Sequence, residues 1–310
     1  MQTHNINLNS KVEGHLFHLA IGNFDGIHLG HQQIINSLVK KAKESNRPSA
    51  ILSFNPHPRQ FFSRELDQYQ ILSEEKKQLI FTELGIDHYF CLKFDELLSN
   101  LSPVDFIKKI IVDQLKVEKL IVGYDFRFGK DRKGDTNLLL DHGKIHGFNL
   151  ETIEQITNPK TKNPYSSTDI RECIRTGEIE EANLLLGRPW SMQGKVIHGD
   201  KRARKMNFPT ANILPHNEIY PLKGVYAVNI KFGDEVHKGI ANFGIRPTVD
   251  GEKMLLEAHL FDFDRDIYGN YLTVEFLAFI RGEKKFETFD YLVEQINKDI
   301  QIAKDYHLRK

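Results

Sequence analysis

Residues 20–35 read AIGNFDGIHLGHQQII, an apolar run that ends in a glycine-studded turn and then restarts with helical spacing. The turn carries His28 and His31, three residues apart and therefore on the same side of a first helical turn. A helix start offers free N–H groups and the positive end of a dipole, both of which suit an anion. Gly22, Gly26 and Gly30 let the backbone turn tightly and come close to a ligand. Two imidazole donors beside such amides would clamp a phosphate that gathers charge in a transition state. The competing reading is a glycine-rich turn whose imidazoles only satisfy hydrogen bonds. Its place after a strand and before a helix favours the anion site, because ligands of parallel sheets bind beyond the carboxyl ends of the strands.

Other stretches carry chemistry less specifically. In YSSTDIRECIRTGEI (165–179), Ser166, Ser167 and Thr168 can cap the following helix, and with Arg171 they can hold a pyrophosphate leaving group. Taken alone, SSTDIR reads as a plain helix cap. Phe62, Phe126 and Phe128 could stack on a flat ring, although aromatics near strand ends commonly join the core. Arg127, Lys130, Arg132 and Lys133 read as a solvated charged loop. Further on, strand alternation puts Leu255, Glu257 and His259 on one face, with Leu256, Ala258 and Leu260 on the other.

The elements that must position these residues follow from periodicity. Strands are expected at 16–22, 49–54, 88–94 and 119–123, with helices near 29–45, 73–84 and 102–115 between them. The last helix starts with Ser102 as a cap and Pro103 in the first turn, and places Ile107, Ile110, Ile111 and Leu115 on one face. The alternation implies an α/β domain with a mostly parallel sheet covered on both faces. Helices at 168–176 and 178–186 follow, ending at Gly187 and Pro189. Beyond them GVYAVNIKF, EVHKGIANFG, MLLEAHLFDF and YLTVEFLAFI read as an antiparallel sheet or barrel. A closing helix keeps Phe289, Leu292, Ile296, Ile300 and Ala303 on one face. The boundary is therefore expected near 187, between domains 1–186 and 187–310.

Composition narrows the class. Lys plus Arg and Asp plus Glu both number 42 in 310 residues, so the basic excess of an extended nucleic-acid surface is missing. No apolar stretch is long enough to span a membrane, and the first residues show no secretory signal. Cys91 and Cys173 have neither metal nor disulfide spacing, which suits two reduced thiols in a cytoplasmic protein. The expected partners are small molecules, without nucleic acid or membrane, bound by a monomer or weak homo-oligomer.

GNFDGIHLGHQ resembles the nucleotidyltransferase signature of the bacterial bifunctional riboflavin kinase/FAD synthetase family. The same His-x-Gly-His occurs in class I aminoacyl-tRNA synthetases and other adenylyl or cytidylyl transferases. SFNPHPRQFF (53–62), VGYDFRFGKDRKGD (122–135) and YSSTDIR resemble further family segments in family order. GKVIHGDKRARKMNFPTANI (194–213) and LLEAHLFDFDRDIYGNYLTVEFLAFIRGEKKF (255–286) are similar to its kinase module. The resemblance covers nearly the whole chain. It implies a Rossmann-like N-terminal domain that adenylylates FMN, and a C-terminal β-barrel that phosphorylates riboflavin. ATP would be the co-substrate, Mg²⁺ the cofactor, and riboflavin, FMN and FAD the substrates and products.

Carried over residue by residue, the resemblance implies catalytic roles for His28, His31 and Arg171, and for Glu257 as the kinase's general base. ATP and its phosphates would meet Gly22, Asn23, Phe24, Gly30, Ser167 and Thr168 in the first module. In the second they would meet Lys195, Arg202, Arg204, Thr210 and Asn212, the last two also holding the metal. Their hydroxyl and amide oxygens are the hard ligands magnesium takes beside phosphates. Flavin would meet His57, Phe62, Asp125, Phe128, Arg246 and Arg281. Ala203 and Asn207 stand where relatives usually carry glycine, which leaves room for an adenylyltransferase with a silent, flavin-sensing kinase module. A small class I aminoacyl-tRNA synthetase would use the same histidines and the RKMNF fragment (204–208). That class's later lysine and serine are missing, and no basic face offers itself to tRNA.

Overall fold

Six short strands build the first part of the chain. They are β1 (Gln2–Ile6), β2 (Phe17–Ile21), β3 (Ser49–Asn55), β4 (His88–Lys93), β5 (Val117–Gly123) and β6 (Asn149–Ile153). In this computed structural model they form one sheet in the order β1-β4-β3-β2-β5-β6, with every pair parallel. The structure describes residues 1–12, 14, 16–63, 68–159, 161–197, 208–215, 218–248 and 251–309, and within these leaves aside the side chains of 246–248 and 251–253. All five residues of β2 are buried, as expected of a central strand covered on both faces. The edge strands β1 and β6 are largely polar and half exposed, so hydrophobic patterning gave no sign of them.

Helices α1 (Leu29–Glu44), α2 (Pro58–Phe62), α3 (Glu74–Glu83), α4 (Glu96–Ser99), α5 (Pro103–Phe106) and α6 (Thr136–His146) connect these strands. Ser102 Oγ accepts from Asp105 N and Pro103 opens α5, the start read from sequence. From Ile107 to Gln114 the helix continues with π geometry, Leu115 N reaching Ile110 O at 2.9 Å. Ile107, Ile110, Ile111 and Leu115 are nonetheless all fully buried, in one apolar cluster with Leu19, Leu52, Phe90 and Leu120. Truncating one such side chain to Ala would cost about 2–5 kcal/mol. Burial pushes the Cys91 and Cys173 thiols up to about 11, away from thiolate chemistry.

The second part begins with α7 (Ser167–Thr176) and α8 (Ile179–Leu186) and closes into a barrel. Its strands are β7 (Trp190–Ile197), β8 (Ala211–Ile213), β9 (Gly224–Phe232), β10 (Glu235–Thr248), β11 (Gly251–Leu260) and β12 (Tyr271–Gly282), in the order β10-β11-β8-β7-β12-β9. Tyr226, Val228, Leu256, Ala258, Val274 and Phe276 alternate inward and are fully buried. Asn183 fastens α8 to the barrel, donating to Phe276 O at 2.8 Å and accepting from Trp190 N at 2.7 Å. The closing helix α9 (Phe289–Leu308) covers the outer face of β9, β10 and β12 over Val225, Ala227, Ile240 and Ala278.

Two compact units result, residues 1–69 with 74–166, and residues 70–73 with 167–310. The change to strand-rich sequence at 187 thus comes 20 residues after the division in packing, because α7 and α8 belong with the barrel. Residues 70–73 join the second unit through Ile219 N, which donates to Gln70 O at 2.8 Å, and Trp190 Nε1, which donates to Ile71 O at 3.0 Å. Among the described residues no helix is long and apolar enough to cross a membrane.

Candidate functional site

In the first unit the chain winds from β2 to β3 and β4 on one side, then returns to β5 on the other. The strand order therefore reverses at β2 and β5, where a parallel sheet opens a crevice beyond its carboxyl ends. The turn from β2 to α1 occupies one side of that opening and the loop after β5 the other. Phe24, Gly26 and Ile27 all have positive φ, of 47°, 84° and 40°. Gly26 adopts this freely, but a β-branched residue does not, and such strain concentrates where function over-determines the backbone. Ile27 is fully buried.

His28 is the N-cap of α1, and its Nδ1 accepts the His31 N–H at 3.2 Å. That bond leaves the proton of a neutral His28 ring on Nε2, the donor an anion requires. The two rings stack at 3.7 Å with 14° between their planes. Phe24 meets the His31 ring edge-on at 5.2 Å. Gly30 admits this packing, since a Cβ there would lie 3.0 Å from Tyr165 and 3.2 Å from the His28 ring. Asn23 is exposed beside Gly22, whose N–H donates to Leu52 O at 3.1 Å. The sequence reading put the two imidazoles on one side of this turn but gave no sign of their stacking, nor of Tyr165, whose ring lies 6.2 Å from that of His28.

The residues expected to hold flavin in this unit separate. His57 is the N-cap of α2, its Nδ1 accepting from Arg59 N at 3.1 Å, and it is buried. Phe62 is 70% exposed and leaves a ring face to solvent, while Asp125 is exposed on the turn after β5. Phe128 corrects the expectation of a stacking surface. A bridge to Gly134 folds its loop back, and the ring is buried in the core beside Phe106 and Phe126. Ser167, Thr168 and Arg171 belong to the other unit, where Arg171 is buried on α7 and donates to Ser167 O at 3.1 Å.

In the barrel the strand registers line up Arg281, Val225, Asn242, Glu257 and Asn212, each opposite the next. Paired residues share a face, so this row looks outward from the barrel, opposite to Tyr226, Leu256 and Phe276. Arg281, Val225, Asn242 and Glu257 of this row border a cavity of about 620 Å³ between the sheet and α9, lined also by Thr210, Phe208 and Lys285. Thr210 immediately precedes β8, two residues before Asn212. Asn212 is buried, and its Oδ1 has no hydrogen-bond partner among the described residues. An orphaned buried carbonyl oxygen two residues from a hydroxyl is a donor set that fits Mg²⁺ carrying its own water and phosphate ligands.

Arg281 lines the same cavity, but its guanidinium is engaged. Nε lies 3.0 and 2.9 Å from the two Asp299 carboxylate oxygens, and Nη2 lies 2.7 Å from one of them. Gln295 Nε2 donates to the same carboxylate at 2.9 Å. Arg281 therefore pins α9 over the cavity through a buried partner that the sequence did not reveal. Lys195 is exposed on β7, outside the cavity lining. Arg246 lies opposite Lys253 in the β10–β11 register, and its side chain is outside those described. Arg202, Ala203, Arg204 and Asn207 also lie outside the described residues.

Known proteins match both constellations. The family model of FAD synthetase matches residues 12–169, and that of riboflavin kinase matches residues 186–307. A curated bifunctional riboflavin kinase/FMN adenylyltransferase of Haemophilus influenzae is 40% identical over 289 residues, 93% of each chain. Its Bacillus subtilis counterpart is 38% identical over 302 residues, 94% of this chain and 93% of that one. A crystal structure described as a macrolide-efflux protein from Streptococcus pneumoniae superposes with a TM-score of 0.88 and 28% identity. It covers 98% of this chain and 99% of that one. With two family models matched in order and relatives of this identity over nearly its whole length, the chain belongs to the bifunctional riboflavin kinase/FMN adenylyltransferase family.

Proposed function

We propose that the chain makes FAD from riboflavin in two ATP-dependent steps, the barrel unit phosphorylating riboflavin and the parallel-sheet unit transferring AMP to the resulting FMN. The observation that carries the reading is a correspondence in order. The stacked His28–His31 pair falls inside the FAD synthetase match, and Thr210 with the paired Asn212 and Glu257 falls inside the riboflavin kinase match.

In the barrel, Glu257 accepts the proton of riboflavin's terminal hydroxyl as that oxygen attacks the γ-phosphorus of ATP and ADP leaves. Thr210 and Asn212 would hold Mg²⁺ through their side-chain oxygens. When bound, the ion supplies positive charge to the phosphates. Arg281 and Asp299 keep α9 over the cavity, which limits water as a competing acceptor. In the first unit, a phosphate oxygen of FMN attacks the α-phosphorus of ATP, the α–β bond breaks, and pyrophosphate leaves. His28 and His31 donate to the α-phosphate oxygens as charge builds there. No covalent enzyme intermediate is needed; positioning and charge stabilisation carry both steps.

A chromatographic flavin time course with MgATP tests the reading. Riboflavin should give FMN and then FAD, and added FMN should give FAD directly. FAD from FMN with riboflavin untouched would remove the kinase assignment, and no adenylylated product from either flavin would remove the other.

A further inference from the structure

Beneath the nucleotide loop lies a buried polar cluster that neither reaction uses. Ile51 and Ser53 of β3 are register partners of Tyr89 and Cys91 of β4, on the sheet face opposite Leu52 and Phe90. Tyr89 is fully buried, and its hydroxyl donates to Glu74 Oε1 at the start of α3. One turn later Lys77, only 1% exposed, reaches the same carboxylate at 3.4 Å. Burial, and then the Glu74 charge, hold the Tyr89 phenol well above its usual range, so it remains a proton donor. A lysine shut away from water beside one carboxylate is a poor source of stability, because desolvation cancels most of the attraction. Such a pair does define a single arrangement.

Two lines of contact run from this cluster to the nucleotide loop. Ser53 Oγ donates to Asn23 O at 3.1 Å. The other line is aromatic: Tyr89 lies 5.1 Å from Phe81, Phe81 meets Phe24 edge-on at 6.0 Å, and Phe24 meets His31 at 5.2 Å. Phe24 is also the residue held at φ 47°, a conformation that persists only where its surroundings enforce it.

We propose that Glu74, Lys77, Tyr89 and Phe81 are positioning residues for FMN adenylylation, holding Phe24 and through it the His31 imidazole against the α-phosphate. The inference rests on the role proposed above for His31. Shifting a catalytic ring by a fraction of an ångström lowers turnover more than it lowers binding.

The test uses the full chain, whose kinase reaction is an internal control for folding. Phe81→Leu should lower kcat of FAD formation from FMN about tenfold. KM for ATP and riboflavin phosphorylation should be unchanged. The double variant Glu74→Gln/Lys77→Met keeps the volume and removes the buried charges, and should lower the same kcat with an unchanged or higher Tm. Wild-type kcat in both variants overturns the inference. So does a parallel loss of both activities with a lowered Tm, which would mark the cluster as merely structural. A wild-type chain that makes no FAD overturns the proposed function instead.

Discussion

On the proposed function, the β2–α1 loop and the barrel cavity solve the same problem, stabilising a phosphate in transit, by opposite means. In the loop the chemistry is crowded into residues 22–31, on a backbone with three positive φ angles. Beyond the bond from Gly22 N–H to Leu52 O, packed rings and a buried hydroxyl shore that shape up from below. In the barrel the reactive row comes from five chain segments, and ladder hydrogen bonds fix each member's place without strain. What the barrel lacks is cover, and α9 supplies it through Asp299. A turn thus obtains closeness at the cost of needing support beneath it. A sheet obtains its geometry cheaply but needs a roof.

This contrast can be broken at its strongest point first. Glu257→Gln should slow FMN formation by about 10²- to 10⁴-fold, the usual worth of a positioned base. FAD formation from supplied FMN should stay at the wild-type rate, and a matching fall would mean the two sites do not act separately. His28→Ala or His31→Ala should slow FAD formation by about 10²- to 10³-fold, the cost of one lost oxyanion donor. Riboflavin phosphorylation should persist in the same assay tubes. Unchanged FAD synthesis in both variants would refute the role of the loop.

Asp299→Ala attacks the roof. It leaves the half-buried Arg281 without its carboxylate, so denaturant unfolding should show a loss of about 1–3 kcal/mol. Riboflavin phosphorylation should fail at lower temperature than FMN adenylylation.

Titration gives the smallest effect. Burial depresses His18 in the first unit and His307 on α9 below the ordinary imidazole value of 6.5. Each folded state therefore binds fewer protons than the unfolded chain below that value, and stability present above pH 6.5 is lost as pH falls. Melting curves from pH 8 to pH 5 should show Tm falling below pH 6.5. His307→Gln should flatten the part of that fall that accompanies loss of kinase activity.

Legibility followed the range of the interactions. His28, His31 and their glycines could be picked out because they fall within ten residues, whereas Tyr165, Ser53 and Phe81, which pack against this stretch, come from distant segments. Glu257 could be placed on its face because alternation is also local, and the burial of Leu256 and Ala258 bears that out. Asn242 could not, since its place beside Glu257 depends on the β10–β11 register. Asp299 was hidden inside a helix whose apolar spacing explains the packing of α9 but not its anchor to Arg281. Phe128 misled because the bridge to Gly134 that turns its ring inward has no marker beyond a glycine. The strands β1 and β6 escaped because edge strands need little hydrophobic pattern.

Residues 70–73 pack with the barrel although the chain on either side of them belongs to the parallel-sheet unit. A barrel expressed from residue 167 onward would lack the carbonyls of Gln70 and Ile71, leaving the N–H of Ile219 and the indole N–H of Trp190, both fully buried residues, without acceptors. Each lost hydrogen bond costs about 0.5–1.5 kcal/mol. Exchange of halves between relatives therefore has to transplant this four-residue strap from the same parent as the barrel, so the recombinable unit is discontinuous in the gene.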